Sequence, residues 1–559
     1  MRTLRGVAAA PGMAAAPPAL LEPASASGAP RLALDAAVTE ACRQLDRLAA
    51  RLRDRGLPDE SEILQAQALM AADPELLEAA GRRIAAGIAA DDAILAAGEE
   101  AAAVLEGLSD ELLAARAADV RDVAARIARA VRGEAPPQLS RRSILVARDL
   151  TPSTTAELDQ TMLAGLALEG GSPTAHAAIL ARALGIPAVV GIPGLLAAAS
   201  GAAELLVDGN AGLVMLEPGA EDRQRLAHWE TELQGRLDAE RALHDRPLTT
   251  ADGHRVMLGA NIGSPDDASP ALRAGAEGVG LFRTEFVFMG RRRAPDEQTQ
   301  AVAYAQVLRA FGERPVVIRL MDIGGDKPLP FVVLDPEPNP FLGVRAIRLA
   351  ERDPELLSTQ LRAIVRAAAE AGVPRPLIMA PMVADLADVR RVRALLDEAV
   401  AAVGAAVTPQ LGIMVEVPSA IVVADQLARE VAFFSIGTND LTQYLLAADR
   451  TNAALAGRQD PMHPAVLRSI ASLVAAAKPH GVPVAVCGEM GGDPAGAVVL
   501  AGLGVSELSM GPASFGAVKR ALASVTLAEA KELAKRCLDA PDPPTARAWV
   551  NERLAGSSG

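Results

Sequence analysis

The sequence predicts a multidomain α/β protein whose C-terminal half forms a (β/α)8 barrel. Three observations carry that expectation. Eight short apolar runs in the C-terminal half each end in a polar or reactive residue, and most are separated by helix-length amphipathic stretches. Residues 35–132 carry apolar residues at three- and four-residue steps, which is the period of an all-α unit. Residues 143–218 change texture to short β-rich runs around one helical stretch, Ala175–Leu184, which reads as a small α/β unit.

Residues 1–30 read as short extended pieces around the Pro11-Gly12 turn. The helical part begins near Asp35, with Val38, Ala41, Leu45, Leu48 and Leu52 on one face. Asp73-Pro74 opens a second helix, a capping residue followed by Pro at the first helical position. Ser109-Asp110-Glu111 opens a third, with Leu113, Val120, Val123, Ile127 and Val131 as its buried stripe. Gly133–Pro137 ends the unit. SILVA (143–147), PAVV (187–190) and ELLVDG (204–209) are the strands expected next, and Asp222–His244 is a charged helical connector. The eight barrel runs are VMLGAN (256–261), GVGLFR (278–283), PVVIRLMD (315–322), PLIMAPM (376–382), LGIMVE (411–416), AFFSIGTND (432–440), VPVAVCGE (482–489) and SELSMG (506–511).

Composition bounds the function. The chain has 559 residues, is 50% hydrophobic and 22% charged, and carries a net charge of −14. That acidity, without a long basic run, argues against nucleic acid and anionic lipid. No apolar stretch reaches the length of a membrane span. Cys42, Cys487 and Cys537 lie far apart, which is neither a disulfide framework nor a zinc site and suits a reducing cytoplasm. Pro11-Gly12 and Pro17-Pro18 interrupt the opening apolar stretch, so it does not read as a secretory leader.

In a (β/α)8 barrel the strand ends face the active site, so they are the residues to interrogate. Arg283 ends run two, Arg319 lies near the end of run three, and Arg345 and Arg450 follow runs three and six. Any one of them could be an ordinary surface or salt-bridged Arg. Together, in an acidic protein, they point to an anion, which a guanidinium grips with a planar fork of donors. Glu416 and Asp440 end adjacent strands, and two carboxylates with substrate oxygens suit Mg²⁺. The competing reading makes Asp440 a helix cap. Cys487 is either a small core hydrophobe or a proton donor at the mouth. His176 follows a Gly-Gly-Ser-Pro turn into a helix, where backbone N–H groups favour an anion. There it is either a capping or core histidine or a nucleophile that carries a phosphoryl group.

GLFRTEFVFM (280–289), RLMDIGGDKPLP (319–330), NPFLGVRAIR (339–348), LGIMVEVPSA (411–420), FFSIGTNDLTQY (433–444), VAVCGEMGGD (484–493) and SMGPASF (509–515) are long, specific motifs. On them the chain resembles enzyme I of the phosphoenolpyruvate-dependent sugar phosphotransferase system over essentially its whole length. The resemblance implies a swivelling α/β phosphohistidine domain (1–29 and 136–218) with an inserted all-α domain (30–135) that docks the phosphocarrier protein HPr. It implies a linker helix (219–250) and a barrel (251–559) that binds phosphoenolpyruvate and dimerises. His176 then looks like the phosphorylated histidine, Cys487 like the acid for the enolate carbon, and Glu416 and Asp440 like the Mg²⁺ ligands. Arg283, Arg319, Asn439 and Arg450 look like substrate-binding residues, as do Arg345 and Lys327.

Two departures stand out. GGSPTAH (170–176) is one residue longer than the family's usual Gly-Gly-x-Thr-Ser-His and has Ala175 in place of Ser. Gln65 and Gln67 stand where many relatives carry an acidic residue and a histidine. Dikinases and synthases that share the swivel and the barrel need a large ATP-binding domain. The segment before His176 is too short and helical for one, and no Walker-type loop is present. A carbon–carbon lyase of the Mg²⁺-enolate barrel class would leave His176 and the helical insert unexplained.

Overall fold

The computed structural model describes residues 2–21, 32–54, 58–107, 116–134, 139–150, 154, 157–171, 177–178, 181–182, 185–289, 291, 293–325, 329, 331–332, 337–450 and 452–556. His176 and Lys327 lie outside these residues, as does most of the expected Ala175–Leu184 helix. The opening of the expected third helix at Ser109, and Leu113 of its stripe, also lie outside them. The chain divides into two compact units, Met1–Gln234 and Gly235–Gly559.

The first unit holds two sheets and a helical cluster. Strands β1 (Arg2–Arg5), β2 (Val7–Ala10), β3 (Met13–Ala16) and β4 (Pro18–Leu20) come first. The chain leaves for the helices and returns in β5 (Ser143–Ala147), β6 (Leu163–Leu168), β7 (Ala188–Val190), β8 (Leu205–Asp208) and β9 (Leu213–Leu216). One sheet has the order β2-β7-β6-β5-β4 and the other β1-β9-β8-β3. The extended pieces expected at residues 1–30 are thus edge strands that pair with segments far along the chain. That pairing has no local signature, and neither do β6 and β9.

The helices Leu34–Asp54, Pro58–Ala71, Pro74–Ala85, Ala90–Glu106 and Ala117–Arg132 bury one cluster. Ala41, Leu45 and Ile127 in it are fully buried. Asp73 caps its helix as expected, accepting from the Glu75 and Leu76 amides, with Pro74 at the first helical position. Buried Arg126 pairs with Glu157 and donates to Gln44, so a guanidinium of the helical part is neutralised by a carboxylate of the sheet-bearing part. The charged connector is a helix, Ala220–Ala242, and the boundary between the two units falls inside it.

The second unit is a closed, all-parallel eight-stranded barrel. Its strands are β10 (Met257–Ile262), β11 (Gly278–Arg283), β12 (Val316–Arg319), β13 (Leu377–Ala380), β14 (Gln410–Val415), β15 (Phe434–Ile436), β16 (Val484–Val486) and β17 (Glu507–Met510). Every expected run overlaps one of them. Two apolar layers support it. A large cluster fills the space between strands and outer helices, and a small one, Leu281, Val317, Met379, Met414, Phe433 and Cys487, fills the barrel interior. Among the described residues, no helix is long and apolar enough to cross a membrane.

Candidate active site

Closing the barrel puts the strand ends into one ring. Arg283 and Arg319 are the last residues of β11 and β12 and stand side by side in register. Glu416 follows β14, and Cys487 follows β16. Asp440 lies in the first turn of the helix Thr438–Leu446, after β15. Gly437 is the residue at the cap of that helix, which corrects the reading of Asp440 as the cap. The Asp440 carboxylate instead faces two guanidiniums, Arg345 at 3.5 Å and Arg450 at 3.4 Å.

Arg345 is completely buried and forks onto Asp322, with contacts of 2.8, 2.9 and 3.1 Å. Burial works against its charge, but the Asp322 and Asp440 carboxylates outweigh it and hold the guanidinium protonated. Gly324 lets the chain reach this position. Its φ is +99°, its backbone bridges to Arg345, and a Cβ there would lie 2.5 Å from the Val344 carbonyl oxygen. Arg319 is buried too, donating to Glu285 at 2.9 Å with Asp322 at 3.6 Å. Again the carboxylates outweigh the cost of burial. Arg283 is half-buried, and its side chain makes no ion pair or hydrogen bond with the described residues.

Glu416 is 1% exposed and accepts from the Met382 amide at 2.7 Å. Burial, then the Asp440 and Asp322 carboxylates, push its carboxyl well above the usual range, against the pull of Arg319 and Arg345. A gathering of carboxylates that repel one another fits a divalent cation. Among the described residues no three His, Cys, Asp or Glu side chains are placed to hold a metal by themselves. The donor set is therefore two carboxylates that substrate oxygens and water would complete, the pattern Mg²⁺ accepts.

Cys487 is buried at the mouth end of β16. It packs in the barrel-interior cluster, with Sγ 3.6 Å from the Ile436 carbonyl oxygen. Burial pushes its thiol up to about 11, so it holds its proton at neutral pH. Asn439 exchanges two hydrogen bonds of 3.1 Å with Glu489, one from its amide and one to its carbonyl oxygen. Arg450 lies 5.5 Å from the Phe341 ring centroid.

Several contributors escape a reading of strand ends. Asp322 and Glu285 hold the two buried arginines, and the Tyr444 hydroxyl bridges Arg345 to the Phe341 carbonyl. Behind them Gln360 donates to Thr284 and Tyr304 and accepts from the Met321 amide. Asn261 donates to the Cys487 carbonyl at 3.0 Å and accepts from Ser509 at 2.6 Å. The motif RLMDIGGDKPLP contained Asp322, but nothing local marks it as a partner of Arg345. Three of the four non-glycine residues with positive φ among those described adjoin the mouth. They are Ala346 beside Arg345, Met382 on Glu416, and Ala447 before the Arg450 loop. Such strain persists where surrounding structure holds it for function.

The chain is similar to known proteins over nearly its whole length. Residues 238–527 match the family model of the PEP-utilising enzyme, PEP-binding domain. Residues 139–212 match its mobile domain and 5–116 its N-terminal part. A phosphoenolpyruvate-protein phosphotransferase of Streptomyces coelicolor is 43% identical, covering 99% of each chain. One from Geobacillus stearothermophilus is 39% identical over 96% of each. A multiphosphoryl transfer protein of Rhodobacter capsulatus is 40% identical over 96% of this chain and 66% of its own length.

Proposed function

The chain belongs to the phosphoenolpyruvate-protein phosphotransferase family of PEP-utilising enzymes, and on that premise we propose how its own residues perform the transfer. The observation that carries the reading is one barrel mouth holding an uncommitted guanidinium, three further arginines, two carboxylates and a protonated thiol.

Phosphoenolpyruvate is densely anionic, and a nucleophile cannot approach it until that charge is balanced. Arg283 meets the substrate first, because no carboxylate neutralises it among the described residues. Arg319 and Arg345 are kept charged and aimed by Glu285 and Asp322, and Arg450 is aimed by Asp440. Asn439 and Lys327 complete the substrate contacts. Glu416 and Asp440 would hold Mg²⁺, which supplies positive charge against the substrate oxyanions.

The imidazole of His176 attacks phosphorus in line, and the enol oxygen leaves as enolpyruvate. The Cys487 thiol gives its proton to the methylene carbon, releasing pyruvate, and the thiolate recovers a proton from solvent. His176 then passes the phosphoryl group to a histidine of an HPr-type phosphocarrier, which drives sugar uptake and phosphorylation. Collection and delivery require a hinge, and the segment 219–250 is the candidate. The helical segment 30–135 docks the carrier. Gln67 is turned inward there, donating to Asp119 at 3.0 Å and Asp122 at 3.3 Å, so carrier contact falls to neighbouring exposed residues. The working form is a cytoplasmic homodimer joined through the barrel segment 251–559.

The test is a partial reaction. Phosphoenolpyruvate and Mg²⁺ give a burst of one pyruvate per protomer, and adding HPr converts the burst to turnover. Turnover of phosphoenolpyruvate without any protein phosphorylation contradicts the proposal.

A further inference from the structure

The N-terminal end of a (β/α)8 barrel is ordinarily a packed plug of side chains, with the chemistry at the other face. In this barrel that end is hollow. A cavity of about 1080 Å³ opens among the strand starts, walled by Met257 of β10, Val317 of β12, Leu377 of β13 and Phe433 just before β15. That volume and apolar lining are those of a small-molecule site.

Its lining also holds polar groups, among them the hydroxyl of Ser435 and one buried carboxyl. Glu507, the first residue of β17, buries its Oε1 without a hydrogen-bond partner. The neighbouring strands leave room for this carboxyl. A Cβ on Gly259 or Gly280 would come within 2.7 or 2.3 Å of Oε1. The rim guanidiniums do not neutralise it. Arg314 donates to the Ala276 carbonyl oxygen at 3.1 Å, and Arg375 to Gln410 at 2.9 Å. Burial, with the Glu277 carboxylate nearby, raises the Glu507 carboxyl to about 7, so it lacks the cation that would hold it ionised. No step at the mouth uses this residue.

We propose that the cavity is a second ligand site, which takes a small molecule carrying a primary ammonium on a compact apolar body. The ammonium donates to Glu507, and the body lies against Val317 and Phe433. Those two side chains also pack in the cluster that holds Cys487. An occupant therefore touches one side of the layer whose other side carries the thiol.

The probes are 2-phenylethylamine and its anionic counterpart 3-phenylpropionate. Binding to the intact chain is followed by saturation-transfer NMR and calorimetry. Saturable, one-to-one binding of the amine but not of the acid is expected. Glu507→Gln removes the charge without changing the shape and lowers amine affinity at least about tenfold. Ser506→Trp, at an exposed rim position, fills the opening from outside and blocks the amine even if Glu507→Gln proves unstable. Unfolding midpoints confirm that each variant is folded. The proposal is overturned by absent amine binding, by acid binding as tight as amine, or by amine affinity that neither variant alters.

Discussion

Cys487 offers the sharpest prediction. Burial raises its thiol to about 11. At pH 8 an ordinary thiol of pKa ~8.5 is roughly a quarter ionised, whereas one at 11 is ionised about one part in a thousand. Alkylation needs the thiolate, so iodoacetamide at pH 8 modifies Cys487 roughly two hundred times more slowly than an unhindered thiol, before steric shielding is counted. The same proton retention makes it an acid across the working range. Cys487→Ala removes that acid and leaves a small apolar group in the interior cluster, where alanine is tolerated. Pyruvate formation then falls by about 10²–10⁴, the usual contribution of a positioned acid. Two assays separate this from a folding defect. Phosphoryl transfer to the protein in a single turnover persists, because enolpyruvate is protonated by water after release. Exchange of pyruvate methyl protons with D₂O, expected of the unaltered protein, disappears in the variant. A Cys487→Ala protein that forms pyruvate and exchanges methyl protons at wild-type rates would refute the reasoning, as would alkylation of Cys487 at the rate of a free thiol.

Other outcomes follow from the same geometry. Asp322→Ala leaves two buried guanidiniums without their shared carboxylate and costs about 3–5 kcal/mol, read as a lower urea midpoint; Asp322→Leu with Arg345→Met recovers much of it. Arg283→Met raises KM for phosphoenolpyruvate at least about tenfold with an unchanged unfolding curve, because no internal partner is lost. Chelation by EDTA stops pyruvate formation, Mg²⁺ restores it, and Glu416→Gln is not restored. Backbone and hydroxyl hydrogen bonds from Thr526, with Arg553, hold the Glu529 carboxyl down to about 2 in a capping box. A lowered carboxylate stabilises above its unfolded value of ~4.3 and loses that effect as pH falls toward 2. Glu529→Gln therefore lowers stability by roughly 0.5–1 kcal/mol at pH 7, a difference that narrows as melts are repeated down to pH 3.

The barrel was legible because each strand is a short apolar run with its own flanking signals, so GVGLFR maps residue for residue onto β11. The mouth residues were legible because a closed barrel turns strand ends into neighbours without further information. The helix Pro74–Ala85 announced itself through Asp73-Pro74 for an equally local reason. What escaped was long-range. Strand β3 pairs with β8, nearly two hundred residues away, and the Ala-rich MAAA of β3 carries no strand signal of its own. Asp322 matters through a guanidinium 23 residues on, and Gln360 through Thr284, 76 residues before it. Such partners are chosen by the folded backbone, not by periodicity. Asp440 carried two readings, and the local signal alone did not choose between them. Its position before LTQYLL suits a cap, but the helix begins two residues earlier and frees the carboxylate for Arg345 and Arg450.

The central claim is that one imidazole, at position 176, receives the phosphoryl group from substrate held at the barrel mouth. The direct measurement is site-resolved mass spectrometry under phosphohistidine-preserving conditions, after addition of phosphoenolpyruvate and Mg²⁺. The account predicts one phosphoryl group per chain, located on His176, absent from His176→Ala, and removed on adding HPr. Phosphate found on another residue, or label retained by His176→Ala, contradicts it.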